Sequence, residues 1–162
     1  MKLLPVLALV LATSLTPACS MFSMQPQSPV TVITNAETVA RVVLQNAATA
    51  WLFVTPILAV SAPDKVEALT TKYYDAVQKA SEALDNLDKV KAALAGGVTV
   101  TIDLNTALKL ESLAIVAVMD VVTEAKNASN KKAKAGPVAH AFGVPGYDNA
   151  LAGSVQLQSM VK

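Results

Sequence analysis

Cys19 and His140 are the only thiol and the only imidazole in this chain of 162 residues. Transition-metal sites gather three or four ligands from clustered Cys and His, and a pair so far apart offers no such cluster. His140 stands between Ala139 and Ala141 in a Gly- and Pro-rich stretch with no nucleophile or carboxylate at motif spacing. It reads as a packing or surface histidine, not a general base. Ser112 and Ser154 lack the G-x-S-x-G setting of a hydrolase nucleophile. Asp85 with Asp88, and Asp120 with Glu124, each share a helix face. The first pair reads as a charged face and not a Ca²⁺ site, and the second would need burial to serve in acid–base chemistry. No catalysis, metal or cofactor is expected.

What remains is contact chemistry. Lys131, Lys132 and Lys134 form the one basic cluster. It suits the negative end of a helix or a docking point for anionic headgroups. Tyr73 falls in an apolar seam, which leaves Tyr74 facing outward as a candidate partner contact. Trp51, Phe53 and Met119 would line an apolar pocket if the first and third helices leave a gap.

The location of the thiol carries more information. Lys2 precedes an apolar run from Leu3 to Ala12, followed by small residues up to Ala18-Cys19. That is the pattern of a secretory signal peptide, and the run is short of the roughly 20 residues a membrane span needs. Residues 1–20 resemble the signal peptide of bacterial lipoproteins, in which a small residue precedes the modified cysteine. Ala18-Cys19 matches; Leu15 stands four places before the cysteine and Thr16 three. The resemblance implies cleavage after residue 18, a diacylglyceryl thioether on Cys19 and an added acyl chain such as palmitate. Several chains anchor stably where one does not. Lipidation also removes a thiol that would be an odd free group in an oxidising compartment. Ser20 at the next position implies sorting to the outer membrane, facing the periplasm.

Loss of Lys2 with the leader leaves twelve Lys plus Arg against twelve Asp plus Glu in 144 residues. A chain without basic surplus is a poor partner for nucleic acid. Aromatics make up 4% of the residues, too few for stacking platforms.

The elements follow from periodicity. Residues 19–33, with Pro26 and Pro29, read as a lipidated cysteine and tether. Thr34-Asn35-Ala36-Glu37 has the form of a capping box, so a first helix is expected from there to about Val60, kinked or ended near Pro56. Residues 39–62 are long enough to enter a membrane, although Arg41, Gln45 and Asn46 favour a buried helix. Ser61, Pro63 and Asp64 signal a second helix start. Val66, Tyr73, Ala80, Leu87 and Leu94 then recur every seven residues up to the Gly96-Gly97 stop. This seam suits an antiparallel helix of the same chain, or failing that a coiled coil between copies. Asp75 with Lys79 and Asp85 with Lys89 are spaced to pair along its surface.

VTVTID after the glycines alternates like a strand and could pair with VTVI at 30–33. Asp103 or Asn105 can cap a third helix to about Asn127, with Glu111, Asp120 and Glu124 on its wetter side. Residues 131–162 read as a basic loop and an irregular Gly/Pro-rich tail, its last part a short helix interrupted by Gly153. The expected fold is all-α: a three-helix up-down-up bundle over 34–130 with a long central helix and a minor two-strand pairing. The expected function is a lipid-anchored envelope protein that binds or scaffolds an envelope protein partner, with homo-oligomers allowed. The alternatives are a small apolar-ligand or lipid-binding module and a protein inserting residues 39–62 into a membrane.

Overall fold

Ser28 and Pro29 start the first helix. The computed structural model describes residues 28–97, 103–133 and 143–161, with the side chains of 131–133 excepted. The leader, Cys19, most of the tether, Val98–Ile102 and His140 lie outside the described residues, as do the side chains of Lys131, Lys132 and Lys134.

Helix α1 runs Pro29–Ser61, α2 Pro63–Ala95, α3 Leu104–Ala133 and α4 Tyr147–Met160. The start of α1 corrects the expected tether and capping box. Ser28 accepts from the Thr31 amide at 3.2 Å with Pro29 at the first helical position, so a complete start signal lies earlier in the chain. Thr34 is inside the helix and donates back to the Val30 carbonyl at 2.9 Å, while Glu37 turns inward. Because residues 30–33 are helical, the expected two-strand pairing loses one of its strands.

Pro56 does not end α1. It removes one amide from the ladder on the outer face, beside Leu52 at 74% exposure, where water can satisfy the freed carbonyl. Ala62 alone joins α1 to α2, donating to the Leu58 carbonyl at 2.7 Å and accepting from the Lys65 amide at 3.0 Å. Ser61 is therefore the last residue of α1, not a cap for α2, and its hydroxyl is buried without a partner. The α2 seam is buried as its heptads require: Leu69, Tyr73, Ala76, Ala80, Leu84, Leu87 and Val90 all face the core. Asp103 caps α3, accepting from the Thr106 amide at 3.3 Å.

Ion pairs fix the directions. Glu37 with Lys91 and Arg41 with Asp88 join the start of α1 to the end of α2, and Lys72 with Glu124 joins α2 to α3 near the opposite end. Consecutive helices are thus antiparallel, and α1 lies parallel to α3. The same-helix pairs Asp75–Lys79 and Asp85–Lys89 are not among these bridges; the three found among the described residues all cross between helices.

Among the described residues the bundle has four helices where three were expected. Helix α4 lies antiparallel on α1 and touches α3, without contacting α2. Gly153 continues this helix instead of breaking it: a Cβ there would meet Val43 Cγ2 at 2.4 Å, so the missing side chain lets α4 sit close against α1. Gly146, at φ +79°, turns the chain into α4 with the Asn46 carbonyl so near that a Cβ would lie 2.7 Å from it. Tyr147 locks the entry, its hydroxyl 2.9 Å from Thr123 Oγ1 and its ring 3.6 Å from Lys126 Nζ.

Candidate functional site

Trp51, Phe53 and Met119 do not come together as one pocket. Trp51 is buried with its ring stacked on Tyr73 at 4.3 Å between centroids and 3° between planes. Met119 is buried as well, whereas Phe53, two residues along the helix, points outward at 38% exposure. A two-residue step is about 200° around a helix, so Trp51 and Phe53 had to part. Tyr74 is 63% exposed, edge-on to Tyr73 with centroids 5.7 Å apart, and remains available to a partner.

Two open grooves mark the surface. One of about 390 Å³ runs between α2 and α3 under Lys79 and Glu82, floored by the exposed Leu110 and Leu113 with Ala114 and Ala117. The other, about 400 Å³, lies between α1 and α4 around Val39, Val42 and Gly153.

The unusual chemistry lies inside, at the end of the bundle where α1 begins. Glu111, expected on a wet face, is 1% exposed, and neither carboxylate oxygen has a hydrogen-bond partner. Glu37 is 5% exposed; its Oε2 accepts from Lys91 Nζ at 2.5 Å and its Oε1 has no partner. Arg41 Nη2 is 3.2 Å from Asp88 Oδ2 on the rim. Burial, and then the nearby Glu37 charge, push the Glu111 carboxyl up to about 7, with Arg41 opposing. Burial also raises Glu37 above the ordinary carboxylate value; Lys91 offsets this in part and Asp88 adds to it. Glu111 is sealed from solvent, so it has no access to a substrate, and it can exchange only a proton unless the helices part. Among the described residues, no three His, Cys, Asp or Glu side chains converge as a metal would require.

A signal for both acids was present in the sequence. Leu108, Glu111, Ile115, Val118 and Val122 step by three and four along one buried stripe of α3, as Ile33, Glu37 and Ala40 do on α1. A glutamate's usual place on a wet face, for Glu111, and the capping-box pattern, for Glu37, point the other way.

No family model, curated protein or solved structure matches this chain.

Proposed function

We propose that this chain is an exported protein, lipid-anchored through Cys19 in the bacterial cell envelope, whose helical bundle binds or scaffolds another envelope protein without catalysis. The observation that carries this reading is the single cysteine placed directly after a charged, then apolar, then small-residue leader. The bundle is consistent with it. Helices α1 and α2 each have 33 residues, a rod of roughly 50 Å. Leu110 and Leu113 stand exposed in the α2–α3 groove, and Tyr74 stands exposed elsewhere on α2, as contact residues for a partner. On this reading the anchor is in the outer membrane, and the domain faces the periplasm from the end where α1 begins.

The test is the mass of the mature N-terminal peptide after expression in a Gram-negative host, beside a Cys19→Ser variant. The expected result is an acylated cysteine at the new N-terminus and release of the variant from membranes. An unmodified peptide would overturn the anchor.

A second reading has its own support. Helix α1 is long and apolar enough to cross a membrane, with 33% of its most apolar stretch buried in the bundle. Insertion through residues 39–62 predicts that the Cys19→Ser variant stays with membranes through a high-pH carbonate wash.

A further inference from the structure

Among the described residues, Glu111 is the carboxylate at the α1–α2–α3 junction that has neither a salt bridge nor a hydrogen bond. From α1 it faces Glu37 and Arg41, and from α2 Asp88 and Lys91. Lys91 is held by Glu37 and Arg41 by Asp88, which uses both cations. On α3 itself the nearest basic residue, Lys109, is exposed. Helix α4 has only Tyr147 and Asp148 as titratable groups among its described residues, and they sit near Thr123 at the other end of the bundle. Val98–Ile102, which leads into α3, contains no titratable residue. An ionised carboxylate so enclosed would forfeit its hydration with no hydrogen bond and only the more distant Arg41 charge in return.

We propose that Glu111 is a proton-operated latch: protonated, it lets α3 close on α1 and α2 where the chain leaves for its N-terminal segment, and ionised, it sets a second negative charge against Glu37 and frees that end of the bundle. The latch joins three helices through one group without a hydrogen-bond partner, so its loss acts on the junction and leaves the rest of the core in place. The far end is held separately by the Trp51–Tyr73 stack, the Lys72–Glu124 pair and the Tyr147 clasp. This inference stands apart from the anchor and does not depend on it.

The raised pKa sets the window. In an opened junction the carboxyl titrates near its ordinary value of 4.5, and in the closed one near 7. The closed state therefore binds the proton more tightly, and closure weakens as pH rises between those values and levels off above them. The opened state gains roughly a hundredfold in relative population across that window.

The test is hydrogen exchange of the full-length protein at pH 5 and pH 8, corrected for intrinsic exchange rates, beside Glu111→Gln and Glu111→Met. In the unsubstituted protein, amides around Ala36–Ala40 and Leu108–Ile115 should lose roughly a hundredfold in protection at pH 8, while those around Tyr73 and Val122 should hold. Both variants should keep the tether-end protection at pH 8. Protection independent of pH, or a pH dependence that survives both substitutions, would overturn the latch. Restoration of protection at pH 8 by millimolar Ca²⁺ or Mg²⁺ would overturn it too, by making the junction a cation site.

Discussion

Glu111 and Gly153 illustrate how single residues carry structural cost and opportunity here. A carboxyl raised from 4.5 to about 7 corresponds to ~3 kcal/mol of differential protonation energy. Below pH 4.5 the folded and unfolded chains both hold the proton, so no penalty applies. Between there and 7 the unfolded chain ionises first, and stability declines by about that amount before it levels off. Glu111→Met, similar in volume and without charge, should therefore gain on the parent protein by ~3 kcal/mol as pH rises from 4 to 8. Chemical denaturation at a series of pH values reads this directly; parallel curves for the two proteins would refute it. Residue type alone could not reveal the effect, because glutamate is ordinarily a surface residue. Its place in the α3 stripe could have.

At the scale of elements, start signals compete, and position in the chain decides among them. Thr34 with Glu37 satisfies the capping-box pattern, yet Ser28 with Pro29 begins the helix first and draws Thr34 into its second turn. Ser28→Ala should cost about 1 kcal/mol, the usual worth of a side-chain cap. Thr34→Ala should change stability by less than about 0.5 kcal/mol, since Thr34 makes only a back-bond on an exposed turn. Thermal melts of the two variants distinguish the assignments, and the reverse order of effects would restore the later start. The long second helix lost only its expected Ser61 cap, which instead ends α1. Its seven-residue repeat and its Gly96-Gly97 stop were legible in full, because seam and stop are both local properties of one segment.

For the whole molecule, the fourth helix changes the fold most. Residues 147–160 have weak periodicity and carry a glycine in mid-helix, so the expectation reaches only a short helix interrupted at Gly153. Docking against α1 supplies what propensity lacks, and it does so through the space at Gly153. Gly153→Ala should drive a methyl into Val43, lift α4 and lower stability by ~1–3 kcal/mol. Val43→Ala in the same chain should recover part of that loss by giving the methyl room. A double-mutant cycle measured by denaturation checks this, and purely additive costs would mean that α4 does not pack through this contact.

By itself, the sequence determined the helical class, the long α2 with its seam, its start at Pro63, a cap at Asp103 or Asn105 for α3 and the outward position of Tyr74. Each rests on periodicity or on capping chemistry within a few residues. It also supplies the only evidence for an anchor at Cys19. Tertiary structure alone decided that Trp51 stacks on Tyr73 and that the helix of the tail packs on α1 as α4. It also decided that Lys91 answers Glu37 while Glu111 is left unpaired. Those outcomes depend on which faces of distant segments meet, and burial of a charge acquires its energetic meaning only when the helices around it have closed.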